Sequence, residues 1–238
     1  MKLTNDLPHL QRDKDKHVAK LDDFRLKLRG KTAVYIDWAN VHGWKKSLKK
    51  EVDPKKLFKE LKYYQEIKKI IFYYGLDRHP KSNQFLNFIR RIGFNVISKD
   101  VKYIPVSLDT SHFKNLAKEI KNSLVSVKNL KTEDIEKILQ ILSRKVLQRK
   151  CDFDIEIALD CFEHLNKHDS FIFLSGDGDF EPLYKMLIKL HKQVIVIYAH
   201  GHLGREVWNM KKGIYKRAVD ALGIDLFIKN APPVSRGA

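Results

Sequence analysis

Cysteine is nearly missing from these 238 residues, with Cys151 and Cys161 the whole complement. Two thiols build no disulfide framework, and without a C-x-x-C pair they lack zinc-finger spacing, so the chain reads as one made for a reducing compartment. Long apolar runs are missing too. Nowhere do eighteen uncharged apolar residues stand together, and the opening MKLTNDLPHLQRDKDKH has no hydrophobic stretch fit for a secretory leader. A soluble, cytoplasmic protein without a membrane partner is the expectation. Neither a Walker A loop nor G-x-G-x-x-G occurs, which leaves nucleotide-cofactor chemistry without support. Acids are outnumbered: 29 Asp and Glu against 46 Lys and Arg leave a net charge of +17 and a pI near 9.7. A field of that sign attracts polyanions, nucleic acid first among them, although a lysine excess also serves plain solubility.

What is present suffices for a core. Hydrophobic residues make up 43% and aromatics 11%, enough for one domain with additions. TAVYID (32–37), IKKIIFYYG, FNVIS, SFIFLSG, QVIVIYA and IDLFI are short apolar runs rich in β-formers, as in strands buried on both faces. Helical patterns lie between them at 54–64 behind Asp53-Pro54, at 81–92 closed by Gly93, at 153–165 and at 180–191. Strands alternating with helices predict an α/β fold, a mostly parallel sheet covered on both sides as a three-layer α/β/α sandwich. Val18, Leu21, Phe24 and Leu28 predict an added helix over 17–29 ahead of Gly30, able to cap the domain or to mediate a homodimer. Between 99 and 150 the alternation breaks. Phe113, Leu116, Ile120, Leu124 and Val127, then Ile135, Ile138, Leu139, Leu142 and Val146 behind Thr132, predict two inserted helices. Their outer faces are basic and run to Arg149 and Lys150, while the closing NAPPVSRGA reads as a mobile tail.

In an open parallel sheet, ligands bind beyond the carboxyl ends of the strands. Three segments bring acids there: Asp37 closes TAVYID, Asp177 and Asp179 follow SFIFLSG, and Asp154 opens the helical FDIEIALDCF. Each has a plainer use. Asp179 could cap the helix from Phe180, Asp154 could serve its helix's first turn, and Asp37 could close an Asx turn in DWAN. Convergence is the stronger argument, because two carboxylates about 4 Å apart repel by roughly 4 kcal/mol at the effective dielectric of proteins and so call for a cation or a shared proton. Oxygen-only ligands select a hard ion, Mg²⁺ or Mn²⁺.

Three motifs in this order, YIDWAN (35–40), KCDFDIEIALD (150–160) and LSGDGDFEPL (174–183), resemble those of NYN domains, the LabA-like branch of the PIN-like ribonucleases. The resemblance implies a PIN-like domain, placed at 31–229; the helical insertion at about 99–150 departs from a minimal domain of that family, and the helical extension at 1–30 and the flexible tail at 230–238 flank it. The resemblance also implies metal-binding or catalytic roles for Asp37, Asp154, Asp177 and Asp179, with Asn40 and Ser175 as polar neighbours, and Mg²⁺ or Mn²⁺ as cofactor. Asp160 matches a family acid, yet on a helix it lies about 240° around from Asp154. Gly178 stands where many relatives have serine. The implied activity is that of an endoribonuclease leaving a 5′-phosphate and a 3′-hydroxyl, with RNA as partner. The alternative is a weakly active RNA-binding scaffold on the same fold. Lys45, Lys46, Lys49 and Lys50, with Arg149 and Lys150, are the candidate RNA-binding cations, and a solvated surface is their plainer use. Trp38 and Trp44 could stack on bases, with core packing favoured for Trp38. His164 and His168, and His200 and His202, lack zinc-site company and are expected at the surface or on phosphate.

Overall fold

The chain folds as the alternation predicts. The structure is a computed structural model, and it describes residues 25–105, 118–120, 122–123, 133–134, 147–222 and 226–228. The strands are β1 (Thr32–Asp37), β2 (Ile67–Leu76), β3 (Asn95–Asp100), β4 (Lys102–Pro105), β5 (Leu147–Lys150), β6 (Ser170–Leu174), β7 (Gln193–Tyr198) and β8 (Ile214–Ala218). Six of them make one sheet in the order β3-β2-β1-β6-β7-β8, parallel from β2 through β8. Helices α1 (Trp38–Gly43), α2 (Lys45–Leu48), α3 (Pro54–Tyr63), α4 (Pro80–Ile92), α5 (Asp154–Glu163), α6 (Glu181–Lys189) and α7 (Arg205–Asn209) lie between the strands. The arrangement is the three-layer α/β/α, PIN-like fold.

Alternation within the central strands sorts the two layers. Val34, Ile36, Phe72, Ile172, Leu174, Ile195 and Ile197 join one buried cluster with Trp38, Val41, Leu57, Leu61 and Ile89 of α1, α3 and α4. On the other face Tyr35 stacks against Tyr73, Phe171 and Phe173, the last at 5.4 Å, and Phe173 meets Tyr184 of α6 at 4.8 Å. Each such ring pair adds about 1 kcal/mol beyond the area it buries. Helix starts follow local chemistry. The Asp53 carboxylate accepts from the Lys55 and Lys56 amides with Pro54 at the first position of α3, and α4 ends at Gly93 with φ 111°, a conformation that suits glycine.

Three expectations shift. IDLFI is not the sixth strand of the sheet: among its described residues Phe227 makes a single antiparallel bridge to Val52, while Ile214–Ala218 takes the sheet edge. An edge strand is half solvated, and IYKRA with its Lys216 and Arg217 therefore lacks the continuous apolar run of a central strand. Residues 25–29 of the proposed first helix are extended or bent, and 17–24 lie outside the described residues. Leu26 and Leu28 nonetheless pack on the core. Asp100–Cys151 forms a compact unit of its own, in which β4 and β5 pair antiparallel, so Arg149 and Lys150 sit on a strand opposite Tyr103 and Lys102 rather than on a helix. Residues 118–120, 122–123 and 133–134 are helical, and the rest of the two proposed helices, Thr132 included, lies outside the described residues, as does the 230–238 tail.

Candidate active site

The chain leaves β1 toward β2 on one side of the sheet, whereas β6, β7 and β8 build outward on the other, so the crevice between the carboxyl ends of β1 and β6 is the topological switch point. Asp37 is the last residue of β1. Ile36 pairs with Leu174, which brings Ser175 level with Asp37 across the gap.

A small hydrogen-bond lattice joins the two strand ends. Asp37 Oδ1 accepts from the Asn40 amide at 3.2 Å and thereby caps α1, and its Oδ2 accepts from Ser175 Oγ at 3.4 Å. Ser175 Oγ accepts in turn from the Asp177 amide at 3.2 Å. Asn40 Oδ1 accepts from both the Gly176 amide at 3.0 Å and the Trp44 indole N–H at 2.8 Å, fastening α1 to the β6 loop. The indole that holds Asn40 is fully buried, so Trp44 is a structural anchor and not a base-stacking surface. Trp38 packs in the core against Phe72 and Phe85.

The capping expected of Asp179 belongs to its neighbour. Asp177 Oδ1 accepts from the Asp179 amide at 3.0 Å and opens the 3₁₀ turn Gly178–Phe180, while Asp179 stays exposed. Asp154 makes no side-chain cap on α5. Burial pushes the Asp37 carboxyl up to about 6, and the Asp154 and Asp177 charges add to that rise against the Asn40 and Ser175 hydrogen bonds. Asp154 is raised as well, by burial first and then by Asp177, Asp152 and Asp179, with Lys99 opposing. Asp37 and Asp154, from distant segments, thus both sense the Asp177 charge, and Asp154 senses Asp179 as well, the like-charge crowding that a cation relieves.

The buried Tyr184 hydroxyl has no hydrogen-bond partner among the described residues, and Asp177, Asp37 and Asp154 are among the charges that it senses. Donors that are all oxygen and like-charge strain on Asp37 and Asp154 suit a hydrated divalent ion, and among the described residues no three of these carboxylates bring ligand atoms within 4.8 Å of one another, so water would have to complete the shell.

Two acids escaped the sequence reading. Asp152 presses on Asp154 electrostatically, and Glu206 at the start of α7 lies against Gly178. Glu206 follows β7 only after a long loop from Tyr198 and stands in a helix, too far from the strand end for position alone to mark it.

Asp160 points elsewhere, as its helical phase implied: its carboxylate accepts from the Tyr73 hydroxyl. With Glu163 and His164 it forms a group whose ligand atoms lie within 4.8 Å of one another. That group is already engaged, since Lys69 Nζ approaches His164 Nε2 and the other ring nitrogen meets the Asp160 carbonyl. His164 and His168 are buried, not at the surface, and burial lowers the His168 imidazole's proton affinity. The contribution of His202 is its backbone, because its carbonyl lies against Gly176, and exposed His200 sits 3.6 Å from Asp220. Lys45, Lys46, Lys49 and Lys50 are exposed on the segment that follows α1, and Arg149 and Lys150 are exposed within the second unit.

Residues 31–220 match the family model of the NYN domain. Over 61 residues the chain is 33% identical to the "Low amplitude and bright protein LabA" of Synechococcus elongatus, a stretch covering 26% of this chain and 33% of the relative. The match therefore spans a third of that relative's length. A crystal structure of a protein of unknown function from Vibrio parahaemolyticus shares the fold, with a TM-score of 0.53 over 86% of this chain and 99% of that one at 19% identity.

Proposed function

The chain belongs to the NYN domain family, and from that membership we propose that it is a metal-dependent ribonuclease cutting RNA phosphodiester bonds internally at the switch-point crevice. The observation that carries the reading is that Asp37 and Asp154, from distant segments at one end of the sheet, both sense the Asp177 charge, with Asp179 also acting on Asp154. Those four side chains would hold Mg²⁺ or Mn²⁺. When bound, such an ion polarises a phosphate oxygen and acidifies a water.

The chain's own groups do the rest. Ser175 orients Asp37 by donating to its Oδ2, and Asn40, whose carbonyl is taken by Gly176 and Trp44, keeps an NH₂ to offer a phosphate oxygen or the attacking water. Lys45, Lys46, Lys49 and Lys50 offset the local repulsion between the acids and the RNA backbone.

The test is cleavage of a panel of end-labelled RNAs across a titration of Mg²⁺ and Mn²⁺. Divalent-dependent internal cuts with 5′-phosphate ends are expected, abolished by Asp177→Asn and by Asp154→Asn. RNA that is bound but never cut, with the Asp177→Asn protein behaving like the unaltered one in cells, assigns the protein to binding and scaffolding instead.

A further inference from the structure

Helix α7 joins the acidic loop to an exposed aromatic ring. The Gly204 amide donates to the Gly176 carbonyl at 2.6 Å, and Gly204 is packed so closely on Gly178 that a Cβ there would lie 2.5 Å from the Gly178 Cα. One helical turn on, about 5 Å of rise, the Trp208 amide bonds back to the Gly204 carbonyl. The Trp208 side chain is 56% exposed, whereas Trp38 and Trp44 are buried.

A single exposed apolar side chain needs no explanation. The setting of this one does. Lys216 Nζ donates to the carbonyls of Val207, Trp208 and Met210, closing the carboxyl end of α7, and lies 5.7 Å from the Trp208 ring centroid. Lys211 Nζ stands at the same distance and, like Lys212, is exposed. The ring is thus presented to solvent on a fastened support, with cations around it. A flat π-face beside ammonium groups is the combination that receives an unpaired base and its phosphate, and stacking of that kind tolerates any base.

We propose that Trp208, held in place by Lys216 and flanked by the exposed Lys211, is a stacking platform that holds one base of single-stranded RNA on the helix that packs against the Gly176–Gly178 loop. The identity of the polyanion rests on the ribonuclease reading above, while the platform itself is tested by binding alone.

Oligo(U) is titrated into the full chain in EDTA, where no cutting occurs, with intrinsic tryptophan fluorescence and anisotropy of a labelled strand as readouts. Quenching of the exposed tryptophan is expected. Trp208→Ala should abolish the quench and weaken binding tenfold or more, and Trp208→Phe should keep most of the affinity, since a ring still stacks. Lys211→Ala should flatten the salt dependence by about one phosphate contact, and a duplex of matching length should quench far less. The proposal fails if Trp208→Ala binds oligo(U) like the unaltered protein, if duplex and single strand quench alike, or if Trp208→Ala changes the elution volume, which would mean that a second copy covers the ring. Quenching without any cleavage in Mn²⁺ sinks the ribonuclease reading and leaves the platform standing. Cleavage with unaltered Trp208→Ala binding does the reverse.

Discussion

Asp37 shows how one side chain converts position into pH dependence. Its proton is held more tightly in the fold than in the unfolded chain, so its contribution favours the fold below the ordinary value of 3.8 and is lost as pH rises through about 6. Above that the native state carries a penalty of at most about 3 kcal/mol. A divalent cation removes the penalty by displacing the proton. The rise in melting temperature produced by Mn²⁺ should therefore be larger at about pH 7.5 than at about pH 5, as a fluorimetric melt at both values will read. Asp154→Asn removes a neighbouring charge and should raise metal-free stability by on the order of 1 kcal/mol while erasing most of the Mn²⁺-induced shift. Tyr184→Phe takes away a buried hydroxyl without a partner and should leave urea stability equal or higher by up to about 1 kcal/mol. At this scale the sequence was partly legible. The acids were visible as polar residues following apolar runs. The burial of Trp44, His164 and His168 was not: Asn40 lies only four positions from Trp44, but the distant segments that bury the indole, and Lys69, which meets His164, are brought there only by tertiary structure.

Among elements, the loops that follow β6 and β7 are pressed together backbone on backbone, Gly176 against His202 and Gly178 against Gly204. A methyl at Gly176 would fall inside the His202 carbonyl oxygen, which belongs to backbone and cannot step aside. Gly176→Ala should lose about 3 kcal/mol or more in denaturant melts. At Gly178 the nearest obstacle is the end of the Glu206 side chain, which can swing away, so Gly178→Ser should stay within about 1 kcal/mol of the unaltered protein. The central strands and α3, α4, α5 and α6 were legible in outline, because a strand buried on both faces is a continuous apolar run and a half-buried helix repeats every three to four residues. The edge strand β8 was hidden by its lysine and arginine, and the apolar IDLFI drew attention away from it. Loop-to-loop contacts such as Gly176 on His202 leave no periodic trace at all.

For the molecule as a whole, the chain carries a net charge of +17 while its crevice is acidic, so under the ribonuclease reading attraction for RNA is spread over many cations and repulsion is local. Binding in EDTA should weaken steeply with salt, and replacing Lys45, Lys46, Lys49 and Lys50 together by alanine should flatten the log–log slope by about 3, at roughly 0.7 per single-strand phosphate released. Filter binding across a NaCl series measures it. Among the described residues no helix is long and apolar enough to cross a membrane. Asp37 and Ser175, the pair that joins β1 to β6, stand 138 positions apart. A polypeptide still emerging from the ribosome has made the first long before the second exists, so the crevice between β1 and β6 cannot form until both halves have been made. A chain cut anywhere between them would lose the pairing of β1 with β6, and with it the crevice, until its pieces found each other again.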